Sequence, residues 1–564
     1  MKTSMRPRPS GGPDAAGQGL GRVDTLPSPD RGASWIRRCL AAPVRHPWTV
    51  TLLLGALVIA LNLRGPDLPA QYFRTWVART AGLVAFNNQW YDGHSLPGYS
   101  VLFPPIAAVL GARITGLISC TVITWAACRL LPGPRDSAQT FFRLALAIGI
   151  VGELIIGQLP FALGLAFGLA ALLAAIEGLP LLVLMMAACS SLSSPLAGLF
   201  LLLAGLSWAP QAGWRRVAPL GSAALGMFVS FVTGGGSGRF PFPLVNLLGV
   251  LLFSALTLAI APRSSTLIRR FAVIYGGLSA ALFVVPNPVG ANIARLGSTL
   301  ALPAAGYLLL RYGRRLVLAL LIVPLLSWQL VPVATALANS AGDPSSNASY
   351  YTGLQSFLAT RRPAAGRLEV PFTREHWETV FLAQRFPMAR GWERQLDLHY
   401  SPALYRPLTA EGYRAWLNAN AVGLVALPDV PLDRGGLSEA ALLADPPSYL
   451  HEVWHDAHWK VWEVADAVPL ASGPATLRTL EVSSFILDFP TAGTETVRIH
   501  ANDMWGVADG GAACLTTTPD GWFQVTALRP GPVRVHATVR NIIDRDTHPE
   551  CAFAESPHPA MSGG

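Results

Sequence analysis

The stretch Trp90-Tyr91-Asp92-Gly93-His94 sets a carboxylate two residues from an imidazole and beside two large aromatics. Asp92 can serve as a general base, because a carboxylate within hydrogen-bond reach can take a hydroxyl proton as a new bond forms. Asp92 and His94 also offer two ligands to a divalent cation, fewer than the three or more that a protein site normally supplies. A plainer use is open at the same residues: a solvated loop in which Trp90, Tyr91 and Tyr99 form an interfacial aromatic belt.

A second constellation suits anions. Pro286-Asn287-Pro288-Val289-Gly290-Ala291-Asn292-Ile293-Ala294-Arg295 reads as a turn leading into a helix. A helix N-terminus with Asn292 and Arg295 beside it can hold a phosphate, or Arg295 can simply snorkel to an interface. Arg239 and Arg74 are further guanidinium candidates. Glu153 lies four residues before Gly157 and has three uses open: substrate contact, a pair with an arginine, or exposure to headgroup water. Gly234-Gly235-Gly236-Ser237-Gly238-Arg239 lacks the Gly-Lys-Ser/Thr ending of a phosphate-binding loop and reads as a flexible loop or lid.

The elements that must position these residues are apolar. Of 564 residues, 51% are hydrophobic and 13% charged, against about 25% charged in a typical soluble domain. The chain therefore reads as a polytopic α-helical membrane protein. Apolar runs mark about eleven transmembrane helices: 48–63, 105–130, 140–156, 160–176, 179–190, 196–208, 217–232, 244–261, 271–285, 292–310 and 316–338. The net charge of +9 comes from short arginine clusters: Arg37, Arg38 and Arg45; Arg129 and Arg135; Arg215 and Arg216; Arg263, Arg269 and Arg270; Arg311, Arg314 and Arg315. All fall on one side if the N-terminus is cytoplasmic, and no basic, aromatic-interleaved patch points to nucleic acid. An odd span count then leaves the first loop, 64–104, and the whole C-terminal part outside the plasma membrane.

Four regions follow: a Gly/Pro/Ser-rich N-terminus, 1–34, expected to be disordered; the helical domain, 35–338; a mixed α/β domain, 339–472; and a β-sandwich, 473–564. Within the latter two, Ser401–Asn420 reads as helix. Val422–Pro428, Trp459–Val464, Thr479–Phe485, Thr494–His500, Trp522–Ala527 and Val533–Val539 read as strands. Cys39, Cys120, Cys128 and Cys189 lie in or beside apolar segments. On an oxidising exterior, Cys514 and Cys551 are expected to form a disulfide.

This layout, with Asp92 in the first outer loop, many spans and a soluble C-terminal region outside, resembles the GT-C superfamily of membrane glycosyltransferases. Trp90-Tyr91-Asp92-Gly93-His94 with Pro97-Gly98-Tyr99-Ser100, and Gly391-Trp392-Glu393-Arg394-Gln395-Leu396-Asp397, are similar to segments of a group of actinobacterial membrane proteins of this build. The resemblance implies transfer of a sugar from a polyprenyl-phosphate donor to a cell-envelope glycan acceptor. Asp92 would be the catalytic residue, and Trp90, Tyr91, His94, Arg74, Glu153, Arg239, Asn292 and Arg295 would bind substrate or phosphate. His376, Glu378, Trp392, Glu393, Arg394 and Asp397 would complete the acceptor side. A divalent cation at Asp92 and His94 is a further expectation. Many members carry paired acids in this loop, whereas Asp92 has no acidic neighbour. A flippase or transporter of envelope precursors, or a non-catalytic envelope scaffold, would share the layout.

Overall fold

The computed structural model describes residues 45–96, 99–131, 136–232, 238–361, 366–508, 512–543 and 551. The disordered N-terminus expected over 1–34, Cys39, Arg37, Arg38, Arg135 and the glycines at 234–236 lie outside the described residues.

The N-terminal two-thirds is a helical bundle. Its helices are α1 (Pro47–Ala60), α2 (Leu68–Thr80), α3 (Phe103–Leu110), α4 (Ala112–Leu130), α5 (Ser137–Gly149), α6 (Val151–Ile156), α7 (Leu159–Glu177), α8 (Pro180–Ser193), α9 (Pro195–Ala212), α10 (Trp214–Val217), α11 (Leu225–Val232), α12 (Leu244–Ile260), α13 (Thr266–Val284), α14 (Arg295–Arg311) and α15 (Arg315–Ser340). Each of the eleven apolar runs is helical, but they do not make eleven full spans. Among the described residues six helical stretches are long and apolar enough to cross a membrane, with α5 and α6 counted as one. There are seven if α3 and α4, bent by 109°, are one span. Helices α1, α8 and α12 are shorter. The 14 residues of α8 extend about 21 Å at 1.5 Å per residue, short of roughly 30 Å of hydrocarbon. Leu53, Leu181, Phe231, Leu252 and Leu320 point outward and exposed, as lipid-facing side chains do.

The first loop is not a loop throughout. Ala70, Phe73, Arg74 and Val77 recur at helical spacing, and α2 buries that face. Its mixed polarity hid it from a search for spans. Arginine clusters and prospective chemistry segregate to opposite ends: Arg129 and Arg311 lie in the last turns of α4 and α14, and Arg215 and Arg263 follow the ends of α9 and α12. The turns after α1, α6, α8 and α13, and Phe240 ahead of α12, lie at the other end, against the C-terminal part.

That part has two units. In the first, strands β3 (Arg367–Glu369), β4 (Val422–Pro428), β5 (Leu450–His455) and β6 (Trp459–Val464) form a sheet in the order β3-β4-β6-β5. Only β3 and β4 are parallel. Helical structure within 401–420 is confined to a short turn and α19 (Ala410–Ala419), whose N-cap is Thr409. Helices α16 (Thr352–Ala359), α17 (Glu378–Phe381), α18 (Arg394–Tyr400) and α20 (Leu437–Leu443) complete the unit. In the second, β7 (Thr476–Leu480), β8 (Ser484–Phe489), β10 (Trp505–Val507) and β13 (Gly531–Ala537) form one sheet. Strands β9 (Gly493–His500), β11 (Ala513–Thr517) and β12 (Trp522–Ala527) form the other. Phe485, Val497, Phe523 and Val535 fill the core between them. The single strand expected over 479–485 is instead the end of β7, a turn closed by Glu481 N–H to the Ser484 carbonyl (2.8 Å), and the start of β8. A Cys514–Cys551 disulfide is formed.

The Trp90–His94 motif joins these bodies. Short strands β1 (Phe86–Asn87) and β2 (His94–Ser95) form a hairpin. Tyr91, Asp92 and Gly93 all have positive φ (53°, 57° and 101°), a backbone that non-glycine residues hold only when their surroundings fix it. Here the surroundings do. Trp90 stacks on Phe73 at 3.9 Å and donates its indole N–H to the Thr379 carbonyl. Tyr91 bonds its hydroxyl to the Gly391 carbonyl, and the Asp92 carbonyl accepts from His500 N–H.

Candidate active site

A cavity of about 380 Å³ lies where the bundle meets the C-terminal part. The bundle contributes Asp67, Gln71, Arg74, Tyr99, Asn292 and Arg295, and the segment after Gly391 contributes Trp392, Glu393, Arg394 and Gln395. Beside it runs a larger, mostly apolar groove of about 1180 Å³ between α5, α6, α12, α14 and α15. Leu248, Leu252, Leu256, Trp328 and Val333 are among its walls, with Glu153, Gln158 and Thr299 at its polar end. Phe240, Asn292 and Arg295 belong to both spaces.

Asp67 was not among the residues singled out from sequence. It sits just after α1 and caps α2 by position, without a side-chain capping bond. Its N–H donates to the Ile156 carbonyl at 3.0 Å, and its carboxylate lies 3.7 Å from the Arg295 guanidinium. Both side chains are partly exposed, 28% and 21%. Burial raises the Asp67 carboxyl above its ordinary range, while Arg295 and a hydrogen bond with Gln158 pull the other way. Gly157 makes the approach possible. It has φ +97°, and a Cβ there would strike the backbone of Leu68 and Asp67. Gly157→Ala is therefore expected to displace Asp67 and lower thermal stability. An unchanged melting temperature would contradict this.

The remaining charges are pre-paired. Arg74 binds Glu393 at 2.6 Å and lies over the Tyr99 ring at 4.1 Å. Burial raises the Glu393 carboxyl, with Arg74 opposing. Arg394 grips Asp433 through two 2.8 Å bonds. Glu153 Oε1 is 3.0 Å from Thr299 Oγ1, which also contacts the Arg295 carbonyl.

The structure thus gathers Arg74, Asn292 and Arg295 at the cavity, and Glu153 beside them in the groove. Arg239 is exposed, and neither space includes it, although its neighbour Phe240 lines both. Of the C-terminal candidates, Trp392, Glu393 and Arg394 reach the cavity, while His376, Glu378 and Asp397 are buried behind it.

Asp92, His94, Trp90 and Tyr91 do not line the cavity. Asp92 is 1% exposed, with Oδ1 2.9 Å from Arg367 Nε. Burial pushes its carboxyl up to about 7, with Arg367 opposing. Burial and, next, Arg74 push His94 down to about 3, and its ring lies parallel to Trp90 at 6.0 Å. These residues do not fit a divalent cation either. A guanidinium already occupies the carboxylate, and among the described residues no group of three or more His, Cys, Asp or Glu is arranged to hold a metal. Asp92, Trp90 and Tyr91 instead contact Arg367, Thr379 and Gly391 of the C-terminal part.

No protein-family model matches the chain, and no curated protein matches it. Nine solved chains match. One is the crystal structure of ArnT from Cupriavidus metallidurans in the apo state, at 15% identity and a TM-score of 0.41, covering 77% of this chain and 98% of that one.

Proposed function

We propose that the chain is a membrane glycosyltransferase of the GT-C kind, moving one sugar from a polyprenyl-phosphate carrier to a hydroxyl of an envelope glycan outside the cytoplasmic membrane. One observation carries this reading: Arg295 stands at the junction of a charged cavity and a long apolar groove. A lipid-linked sugar has the same build, with a charged phosphate between an apolar tail and a polar ring. The tail suits the groove, Arg295 and Asn292 suit the phosphate, and the cavity has room for a sugar.

Asp67 supplies the base. The acceptor oxygen attacks the anomeric carbon as the bond from that carbon to the phosphate oxygen breaks. The acceptor proton passes to Asp67, and the lipid phosphate leaves with the bonding electron pair. Arg295 meets the charge that grows on it, and pre-positioned charge of this kind is a large term in catalysis. A carboxyl raised by burial is a stronger base than an exposed one. No step requires a metal.

Purified protein in lipid nanodiscs, given polyprenyl-phosphate sugars and envelope glycan, is expected to release polyprenyl phosphate. Arg295→Ala is expected to slow this by about 10²–10³-fold, the typical loss of one transition-state donor, and to weaken donor binding. Equal release by the Arg295→Ala variant, or none from wild type with any donor, would overturn the assignment.

A further inference from the structure

Asp67 is mounted on two bodies at once. From the bundle, its N–H is held by the Ile156 carbonyl. From the C-terminal part, the Trp392 indole N–H donates to the Pro66 carbonyl at 2.7 Å, within the peptide that leads into Asp67. Trp392 is itself fixed. Its ring stacks on His376 with centroids 3.3 Å apart and planes 11° apart. The Arg394 guanidinium lies 4.9 Å from the ring centroid and is anchored on Asp433. His376 is buried with φ +58° and is packed edge-on by Phe372. The Trp392 indole N–H is spent on Pro66, while the residue also lines the cavity.

We propose that Trp392 is a positioning residue for the reaction. It ties the Pro66–Asp67 peptide to the C-terminal part, so the carboxylate reaches its working place only while that part is docked. The inference rests on Asp67 being the base. It adds that the soluble unit sets the base's position rather than merely roofing the site. The stacked His376 and Trp392 rings act as the fixed post, and the indole N–H is the link.

Trp392→Phe keeps an aromatic ring against His376 and removes the donor. Two measurements on the full chain in nanodiscs test the idea. Hydrogen exchange, followed by mass spectrometry, is expected to accelerate in the peptide spanning 64–68 and to remain unchanged in the sandwich strands. Turnover is expected to fall roughly three- to tenfold, the usual worth of one hydrogen bond, with the donor KM changing less than kcat, because Arg295 and the groove are untouched and an aromatic ring still lines the cavity. Unchanged exchange at 64–68 would overturn the proposal whether or not the chain transfers sugar. Faster exchange with unchanged kcat in an active enzyme would also overturn it. So would a rise in donor KM at constant kcat. Wild type that transfers no sugar would remove the reaction the post is proposed to serve and overturn the transferase reading with it. The exchange result would still decide the mechanical link.

Discussion

Asp67→Asn is expected to reduce sugar transfer by about 10²–10⁴-fold, the usual range for loss of a positioned base, while leaving the donor bound. The split between kcat and KM is diagnostic. Asp67 lies 3.7 Å from Arg295, so in the proposed reaction it would compete with the donor phosphate for that guanidinium. Asparagine removes both the base and the competing charge, so donor KM should hold steady or fall as kcat collapses. Arg295→Ala should do the reverse to KM. A change confined to the chemical step is the signature of an interaction realised in the transition state. The wild-type pH profile follows from the same geometry. Because burial raises the Asp67 carboxyl, activity should be lost on acidification at a higher pH than for an exposed aspartate, as the base protonates. The asparagine variant should lack that limb. Glu153→Gln serves as a control. Glu153 touches Thr299 in the groove and does not line the cavity, so its loss should cost much less. An Asp67→Asn variant that still turned over at wild-type rate would end the case for this residue.

How much of this was legible in the sequence differs by element for physical reasons. Every apolar run became a helix, because an uninterrupted stretch of Leu, Val and Ala leaves few alternatives. Span number was less legible: length alone does not say that α3 and α4 bend by 109° or that α1 and α8 stop short. Asn292 and Arg295 were readable, since a Pro/Gly turn followed by arginine at a helix start is a local pattern. Asp67 was not. It sits in Gly65-Pro66-Asp67-Leu68-Pro69, with no aromatic or histidine within four residues. Its partners, Arg295 and Gln158, arrive from distant segments. A usable signal was present: an acid directly after a span and before a proline-led helix. Asp92 stands apart from the cavity. Its aromatic neighbours suggested a site, but large rings also bury the most area where domains meet. Trp90 and Tyr91 do that work here.

The fate of Asp92 gives the second large expectation, a defect in assembly rather than in chemistry. Asp92 and Arg367 are fully enclosed, with side chains 1% and 0% exposed. Arg367 also donates to the carbonyls of Asn420 and Arg498. Removing one member leaves the other's buried polar atoms without their partner, typically costing about 1–3 kcal/mol. Asp92→Ala and Arg367→Met should therefore each loosen the C-terminal part, seen as faster protease cleavage between the bundle and the sandwich. The double variant Asp92→Leu with Arg367→Met should recover much of the loss, because apolar replacement of both partners is often near neutral. Additive losses would contradict the pairing. The pH dependence separates this role from catalysis. Burial raises the folded-state carboxyl to about 7 from its ordinary 3.8, so the folded chain binds this proton more tightly than the unfolded one. The resulting stabilisation is complete below about pH 4 and is lost as pH rises through 7, at up to about 1.4 kcal/mol per unit. Docking should then strengthen on acidification from pH 8 to 5 in the wild type, with that component of the slope missing in Asp92→Asn. Asp92→Asn should also keep sugar transfer wherever the C-terminal part stays docked, since Trp392 can still hold the Pro66–Asp67 peptide. Complete loss of transfer in a fully docked Asp92→Asn protein would return the catalytic role to Asp92 and take it from Asp67.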